Sequence, residues 1–429
     1  MNSREVAVNI LLDVLISKHS LSSSIKFFSV KLSSQEEYPF LQELCYGVIR
    51  RYEHLEAFVS YLVKKKIKNK DADIKILLML GLYQIKYLRV PEHAAVSETV
   101  KIAKKRGQPK FSGFINGVLR NFIRNMDKIT QQVEKKSYVK MDHPQWLEQL
   151  IRQCWGEKAD EVLQANNRIP PITLRVNGHK IFADDFVQKL TDQGVQAEPI
   201  SGLKSAFRLN KPRAIDALPG YDKGWFFVQD AGAQLAATLL DIRDSQRVLD
   251  ACAAPGGKAI HLLEINSSIN LTAVDIEPDR IAILRQNMAR MDCQMNVLCQ
   301  DILTLSSDQL GYDRILMDAP CSAMGVIRRH PDVKYLRMPE DIVNLVKLQQ
   351  QILEKLWSLL LVGGKLLYVT CSILQDENEN QIDQFLKNHA DVEEIKITTE
   401  WGVERNHGIQ LLPGEQNTDG FYYALLQKT

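Results

Sequence analysis

From Trp225 to Thr429, short apolar runs alternate with helix-length amphipathic segments, and this alternation limits the fold more than any other feature of the sequence. The runs stand in RVLDACAAPGGK, NLTAVDIE, MNVLCQD, DRILMDAP and KLLYVTCS. Alternating β and α units of this kind predict a parallel sheet with helices on both faces. We therefore expect an α/β, Rossmann-like domain here.

Polar or reactive residues follow each of these five runs. In chain order they are Cys252 with its following loop, Asp275, Asp301, Asp318 with Cys321, and Cys371. Ligands of open parallel sheets bind at the carboxyl ends of the strands, so side chains at these positions are candidates for one shared site. Five successive strands that each deliver such a group predict a functional site at that edge.

The loop CAAPGGK predicts a cofactor that is not rich in phosphate. Its glycines allow a ligand to approach the backbone closely, but it is neither a G-x-G-x-x-G nor a Walker A loop. Asp275 can accept hydrogen bonds from both ribose hydroxyls of a nucleoside, and Asp301 can accept one from the exocyclic amine of adenine. Either acid alone is as readily a strand-end or capping residue. The loop and the two acids in register fit S-adenosylmethionine.

Two thiols and an acid, Cys321, Cys371 and Asp318, indicate the chemistry. C5 of cytosine is a poor nucleophile until a group adds at C6 and turns the ring into an enamine, and a thiolate suits that addition. A carboxyl group beside the ring can hydrogen-bond N3 and the exocyclic amine. After methyl transfer a base must remove the C5 proton so that the covalent bond breaks. One thiol suffices for attack, so the second is expected to help release; the residues alone do not tell which thiol attacks.

The first 140 residues form a basic module with a helical pattern. AVNILLDVLI, LLMLGLYQIKYL and AAVSETVKIAKK place apolar residues at helical spacing. Residues 1–140 carry 25 Lys and Arg against 13 Asp and Glu, whereas the rest of the chain carries 29 against 39. KKKIKNK (64–70) and KIAKKRGQPK (101–110) concentrate ten of these basic side chains. Such runs are often solvated surface only, but a basic module joined to an acidic one is typical of nucleic-acid binding.

The helical pattern continues over 143–155 and 158–167 until the pair Pro170-Pro171 ends it. A strand, ITLRVN, and a mixed αβ stretch follow to about residue 220. Near the C-terminus, DGFYYALLQK predicts a closing edge strand. We expect three domains: a helical RNA-binding domain at 1–140, a small α+β RNA-binding or linker domain at 141–224, and a catalytic domain at 225–429.

Cysteine usage and the N-terminus bear on the compartment. The seven cysteines are odd in number and form no Cys-x-x-Cys pair, which argues against a disulfide framework and a zinc site. Glu5 and Asp13 interrupt the first apolar pattern, which argues against a signal peptide. No apolar run approaches the ~20 residues of a membrane helix. We expect a cytoplasmic monomer without a metal and without a membrane partner.

Three segments closely resemble motifs of the RNA cytosine-5 methyltransferases of the Fmu/Sun or nucleolar-protein-2 family: LDACAAPGGK, DAPCSAMGVIRRHPDVK and TCSILQDENENQ. LQELCYGVIR, VPEHAAVSETV and FINGVLRN resemble the NusB-like helical RNA-binding domain that is fused to some of these enzymes. The resemblance extends over nearly the whole chain. It implies methyl transfer from S-adenosylmethionine to C5 of a cytosine in 16S (small-subunit) ribosomal RNA. It also implies a covalent intermediate between a cysteine and C6.

The resemblance assigns roles to individual residues. The cysteine of the TCS motif, Cys371, is the implied nucleophile, and that of the APCS motif, Cys321, assists product release. Asp318 is implied to contact the base. The implied cofactor contacts are Cys252, Ala253, Ala254, Pro255, Gly256, Gly257, Lys258, Asp275, Asp301 and Asp318.

Other functions remain open to the sequence. The same chemistry on transfer RNA is one alternative. A non-catalytic RNA-binding or assembly factor is another, although the intact Cys371, Cys321 and Asp318 argue against it. A nicotinamide dehydrogenase is disfavoured because G-x-G-x-x-G is missing. Beside the APCS loop, Arg328, Arg329 and His330 either hold RNA phosphate, shape the base pocket or are ordinary surface residues.

Overall fold

A computed structural model of the chain describes residues 1–306 and 311–429. Its contacts divide the chain into two compact units. One comprises residues Met1–Arg168 with Ile327–Met338, and the other comprises Ile169–Val326 with Pro339–Thr429.

The α-helices of the described residues are α1 (Ser3–Leu15), α2 (Leu21–Ser29), α3 (Tyr38–Arg50), α4 (Tyr52–Leu62), α5 (Ala72–Tyr87), α6 (Glu92–Lys105), α7 (Ser112–Val133), α8 (Ser137–Lys140), α9 (Gln145–Trp155), α10 (Ala159–Asn166), α11 (Ala183–Asp192), α12 (Ala231–Leu239), α13 (Gly257–Ile265), α14 (Pro278–Met291), α15 (Val333–Leu336), α16 (Pro339–Leu359) and α17 (Glu379–Asn388). Short 3₁₀ helices lie at Gln35–Glu37, Asn69–Asp71, Pro109–Phe111, Gly156–Lys158, Ile302–Thr304, Gln375–Glu377 and Glu415–Asn417.

The strands are β1 (Thr173–Val176), β2 (Ala197–Pro199), β3 (Ala206–Leu209), β4 (Phe226–Val228), β5 (Arg247–Ala251), β6 (Asn270–Asp275), β7 (Asn296–Cys299), β8 (Tyr312–Asp318), β9 (Leu360–Thr370), β10 (Val392–Ile395), β11 (Val403–Glu404), β12 (Ile409–Leu411) and β13 (Phe421–Lys428).

The first unit is a helical bundle around α5, whose residues from Ile76 to Ile85 are all buried. Helix α1 begins with a capping box, because the Asn2 side chain accepts from Glu5 N while the Glu5 carboxylate accepts from Asn2 N. The expected helical N-terminal domain is thus confirmed.

The segment 327–338 belongs to this helical unit, which the sequence did not indicate. Lys334 is buried, and its Nζ donates to the carbonyl oxygens of Arg50 (3.0 Å) and Asp142 (2.5 Å). Burial lowers the pKa of Lys334 to about 7. Backbone N of Leu21 donates to the Asp332 carboxylate at 2.8 Å. The segment is therefore held by hydrogen bonds as well as by packing.

The second unit contains two sheets. The smaller is antiparallel, in the order β2-β3-β1-β4, and α11 packs against it through Phe186 and Leu190. The larger has the order β11-β12-β13-β9-β8-β5-β6-β7, and β10 also pairs with β13. Its strands β9, β8, β5, β6 and β7 are parallel to their neighbours in this run.

Helices cover both faces of the larger sheet, as the sequence predicts. In β5, Val248 packs with Leu235 of α12 and Leu262 of α13, while the next residue, Leu249, packs with Leu353 of α16 on the other face. Because both faces are buried, adjacent residues of the strand, Val248 and Leu249, are both apolar and do not alternate with polar ones. The α/β, Rossmann-like fold is confirmed.

The expectation for the last strand is wrong in one respect. Strand β13 does not close the sheet at an edge, since it pairs antiparallel with both β9 and β12. Its run from Phe421 to Leu426 is buried, which is the burial of an interior strand.

Candidate active site

The carboxyl ends of five parallel strands bring the residues singled out from the sequence to one edge of the sheet. Cys252 follows β5, Asp275 ends β6, Asp301 follows β7, Asp318 ends β8 and Cys371 follows β9. The strand register keeps these ends level, with Ala251 paired to both Val274 and Met317.

A cavity of about 370 Å³ opens at this edge. The residues that line it are Cys252, Val274, Asp275, Ile276, Arg280, Gln300, Asp301, Ile302, Leu303, Asp318, Ala319, Pro320, Cys321, Leu348, Ile352 and Cys371. Both thiols, the loop start Cys252 and all three candidate acids thus share one space with an apolar wall.

The loop 253–258 lies next to the cavity, although none of its residues is among the described residues that line it. Ala254 N donates to the Asp275 carboxylate at 3.0 Å, which fixes the loop to the end of β6. Gly256 has φ +98°, a left-handed conformation that side chains rarely adopt, and α13 begins directly after it.

The acids at the edge differ in their partners. Asp275 is buried and accepts from Glu277 N at 3.1 Å, and Arg280 forms an ion pair with it at 3.2 Å. Asp301 accepts from Leu303 N at 3.0 Å. Arg280 is a lining residue that sequence reasoning missed, and its place on the helix after β6 is the only signal that pointed to it.

Lys258, in the first turn of α13, contacts the acid that ends β8. Its Nζ lies 2.7 Å from Asp318 Oδ2, and it also lies over the Phe421 ring. Burial lowers the pKa of Lys258, but the charge of Asp318 and the hydrogen bond with it outweigh burial and raise it above 10.5. Lys258 is therefore a cation that pairs with the acid implied to contact the base.

Asp250, the penultimate residue of β5, is fully buried, and neither of its carboxylate oxygens has a hydrogen-bond partner among the described residues. Burial, and then the charge of Asp318, raise its pKa well above the ordinary value. Buried polar groups without partners are rare and ask for an explanation. A cationic or hydrogen-bond-donating ligand beside these acids would supply one.

The two thiols lie close together in the wall of the cavity. Cys321 Sγ lies 3.3 Å from Cys371 Sγ. The hydrogen bond with Cys371 raises the pKa of Cys321 well above its ordinary value, and burial adds to the effect. Burial likewise raises the pKa of Cys252 to about 12, so that this thiol keeps its proton. Cys321 is therefore a thiol that holds its proton more firmly than a free cysteine.

Glu377 is a second residue that sequence reasoning missed. It is fully buried, and its carboxylate accepts hydrogen bonds from Ser322 and Ser372, the residues that follow the two cysteines. The sequence signal was its place six residues after Cys371 in the acidic stretch QDENE, which offers no clue to its partners.

Arg328 does not present its side chain to solvent. It is 1% exposed within the segment that packs in the helical unit, and its carbonyl oxygen accepts from Arg50. This burial argues against a contact between its guanidinium and RNA phosphate.

A parallel sheet of this order, with acids and thiols at the carboxyl ends of its strands and a helical and a small αβ domain before it, defines the class: a Rossmann-like methyltransferase domain with N-terminal accessory domains. Three family descriptions match the chain. They are the NusB family over residues 1–124, the RsmF/B-like ferredoxin-like domain over 143–216, and the 16S rRNA methyltransferase RsmB/F over 237–427.

Similar proteins extend over the full chain. It is 42% identical to the ribosomal RNA small subunit methyltransferase B of Pasteurella multocida, covering 100% of this chain and 96% of that one. It is 40% identical to the probable ribosomal RNA small subunit methyltransferase B of Coxiella burnetii, covering 100% of both. The chain belongs to the RsmB/F family of 16S rRNA methyltransferases.

Solved structures share the fold. The crystal structure of PH0851 superposes with a TM-score of 0.83 at 22% identity and covers 100% of this chain and 99% of that one. A methyltransferase homolog protein from Pyrococcus horikoshii gives a TM-score of 0.61 at 28% identity, covering 68% of this chain and 97% of that one. Within the described residues, no helix has the length and apolarity to cross a membrane.

Proposed function

We propose that the chain transfers a methyl group from S-adenosylmethionine to C5 of one cytosine in 16S ribosomal RNA through a covalent bond between Cys371 and C6. The observation that carries the proposal is the cavity in which the two thiols, 3.3 Å apart, adjoin Asp318. A thiolate and a carboxyl group beside one ring are what activation of cytosine C5 requires.

The edge of the sheet suits a cationic nucleoside cofactor. Asp275, Asp301 and Asp318 line the cavity against one lining cation, Arg280, and this excess of carboxylates disfavours a phosphate-rich ligand. S-adenosylmethionine carries a sulfonium and an ammonium group, and when bound it supplies an electrophilic methyl group. We propose that residues 252–258 hold its amino-acid portion, Asp275 its ribose and Asp301 its adenine.

Cys371, Asp318 and Cys321 have separate roles in this reaction. Cys371 attacks C6, so that a sulfur–carbon bond forms and the ring becomes an enamine that is nucleophilic at C5. Asp318, kept in place by Lys258, hydrogen-bonds N3 and the exocyclic amine. After C5 has gained the methyl group, loss of the C5 proton to a base restores the C5–C6 double bond and expels the sulfur of Cys371. Cys321 assists this release from 3.3 Å away.

The raised pKa of Cys321 supports this division of roles. The hydrogen bond with Cys371, together with burial, raises the pKa of Cys321, so Cys321 is a poor source of the attacking thiolate. Cys321 is thus suited to support Cys371, and Cys371 to attack.

We also propose that residues 1–140 and 141–224 serve RNA binding. The lysines of KKKIKNK are all exposed, as a phosphate-binding surface requires. The match of residues 1–124 to the NusB family and of residues 143–216 to the ferredoxin-like domain is consistent with two accessory domains before the catalytic one.

The proposal is tested by incubating the purified chain with S-adenosylmethionine and either 16S ribosomal RNA or transfer RNA, followed by bisulfite sequencing. We expect one cytosine of the 16S RNA to become resistant to bisulfite and none in transfer RNA. Methylation of transfer RNA alone, or a methyl group at a position other than C5, would contradict the proposal.

A further inference from the structure

The two cysteine loops are joined by one buried carboxylate. Glu377 Oε1 accepts from Ser322 N at 2.7 Å, and its Oε2 accepts from the hydroxyls of Ser322 and Ser372, each at 2.5 Å. Ser322 and Ser372 are themselves fully buried and follow Cys321 and Cys371 directly. The carboxylate thus contacts the neighbour of each thiol.

Further hydrogen bonds hold Glu377 in place. Gln349 Nε2 donates to Glu377 Oε1 at 3.0 Å and also to Pro320 O at 2.9 Å. The Tyr368 hydroxyl donates to the carbonyl oxygen of Glu377 at 2.7 Å. The carboxylate is therefore fixed by groups from β9, α16 and the APCS loop, and its position is not left to the rotamers of a single side chain.

The loops also contact each other through the backbone. Gly325 N donates to Cys371 O at 2.9 Å, and Gly420 N donates to Gly325 O at 2.8 Å. A side chain at Gly325 would collide with Gly420 O and lie 2.8 Å from Cys371 O. This contact fixes the far end of the APCS loop. Next to the thiols, the hydroxyls of Ser322 and Ser372 lie 3.3 Å apart, and both donate to Glu377.

We propose that Glu377 is a positioning residue that holds Cys321 against Cys371 for the two-thiol reaction. This inference rests on the proposed function, which is the reason why the two thiols need to be close. Their closeness itself can be measured without RNA. A buried carboxylate is costly unless hydrogen bonds compensate it, and here four donors converge on two oxygens. An apolar side chain would fill the same space, but it could not accept hydrogen bonds from the two serines.

The approach of the two thiols can be followed in the full-length protein by oxidation with hydrogen peroxide. One thiolate attacks the peroxide to give a sulfenic acid and water, and the second thiol then displaces the hydroxyl, which leaves as water. Two thiols lose two protons and two electrons, and one peroxide becomes two waters. Mass spectrometry of the peptides that contain Cys321 and Cys371 measures the rate of disulfide formation.

The variants are Glu377→Ala, Glu377→Gln and the matched control Asp376→Ala, whose carboxylate is exposed and accepts from Asn380. We expect Glu377→Ala to form the disulfide at least ~10-fold more slowly, because small displacements of reacting groups have large effects on rate. Glu377→Gln should restore most of the rate, since its amide oxygen can accept from Ser322 N and its amide NH₂ can donate to the two serine hydroxyls. Asp376→Ala should equal the parent.

Two further measurements separate positioning from general stability. Affinity for S-adenosylmethionine should be unchanged in Glu377→Ala, because Asp275 and Asp301 lie outside the hydrogen bonds of Glu377. If Glu377→Ala does not fold, Ser372→Ala, which loses one hydroxyl donor, takes its place, and a smaller slowing of disulfide formation is expected. Disulfide formation at the parental rate in a folded Glu377→Ala or in Ser372→Ala would overturn the proposal.

Failure of the proposed function gives a different result. If the thiols do not perform cytosine chemistry, Glu377→Ala still slows the disulfide, but no variant of the chain forms a covalent adduct with RNA. If the chemistry is right and Glu377 does not position the thiols, adducts form and the disulfide rate is the same in Glu377→Ala and the parent.

Discussion

Lys258 Nζ lies 2.7 Å from Asp318 Oδ2, so that the first turn of α13 and the end of β8 are joined by an ion pair at the edge of the candidate site. The pair connects a residue expected to touch the cofactor with one expected to touch the base. Lys258 is mostly buried and Asp318 about one-third exposed, with side-chain exposures of 12% and 31%. We interpret Lys258 as the partner that orients Asp318.

Replacing Lys258 tests this interpretation. We expect Lys258→Met to lower kcat for methyl transfer by ~10-fold, because Asp318 loses the cation that orients it. Lys258→Arg should retain more activity, since it keeps the charge. The measurement is steady-state methyl transfer at saturating S-adenosylmethionine. A variant with parental kcat and weakened cofactor affinity would instead assign Lys258 to cofactor binding.

Asp275→Asn should weaken binding of S-adenosylmethionine by roughly 1–3 kcal/mol, because the amide keeps the size of the carboxylate but loses its charge and one acceptor. Isothermal calorimetry of the full chain measures the affinity. Asp279→Asn is the matched control, since Asp279 is exposed in the first turn of α14. Equal affinities for the two variants would refute the ribose assignment.

Much of the fold and of the candidate site could be predicted from the sequence, because both depend on the local pattern of apolar and polar residues. The alternating apolar runs predict the parallel strands. Because Asp275 and Asp318 stand at strand ends, their place at one edge of the sheet could be predicted before any of their contacts was known. The position of β13 between β9 and β12 was not encoded in this way, because edge and interior strands differ in their partners and not in their period.

Long-range pairing accounts for the rest. Lys334 lies in a motif that reads as part of the active loop, yet its Nζ donates to the carbonyl oxygen of Asp142, 192 residues away. Glu377 likewise bonds Ser322 across 55 residues of sequence. Such contacts follow from how the elements pack, and periodicity in a single sequence does not contain that information.

Acid should destabilise the helical unit through His143. This residue is fully buried, its Nδ1 donates to Met141 O at 2.5 Å and its Nε2 accepts from Asn166 at 3.2 Å, which is the pattern of a neutral ring. Burial, and then the charge of Lys334, lower its pKa from 6.5 to about 3. Between these values only the unfolded chain binds the proton, so stability falls as pH falls, by at most ~1.4 kcal/mol per pH unit.

Thermal unfolding of the full chain between pH 4.5 and 7 measures this effect. His143→Gln should unfold at a lower temperature at pH 7 but show a shallower decline towards acid than the parent. His93→Gln, a change at an exposed histidine of α6, should keep the parental slope. A slope in His143→Gln as steep as that of the parent would show that other groups cause the acid sensitivity.

The basic N-terminal surface should determine the salt dependence of RNA binding. Lys65 and Lys66 are exposed, and their joint replacement by Gln should reduce the slope of log K against log salt by up to ~0.7–0.9 for each lysine that contacts a phosphate. The control is Lys387→Gln with Lys396→Gln, two lysines paired with acids in the other unit. Filter binding to 16S RNA at several salt concentrations gives the slopes, and equal slopes in both double variants would argue against an RNA contact at 64–70.

The separate roles of the two thiols are the central claim, and the most direct test is denaturing electrophoresis of the protein after reaction with 16S RNA and S-adenosylmethionine. We predict that in the Cys321→Ser variant Cys371 still attacks C6 and the methyl group is transferred. The product is then retained, so that a protein–RNA adduct survives denaturation. Cys371→Ser should give neither methylated RNA nor adduct, because a hydroxyl is a far weaker nucleophile near neutral pH, and the double variant should give no adduct. An adduct trapped with Cys371→Ser and absent with Cys321→Ser would contradict the account and make Cys321 the nucleophile.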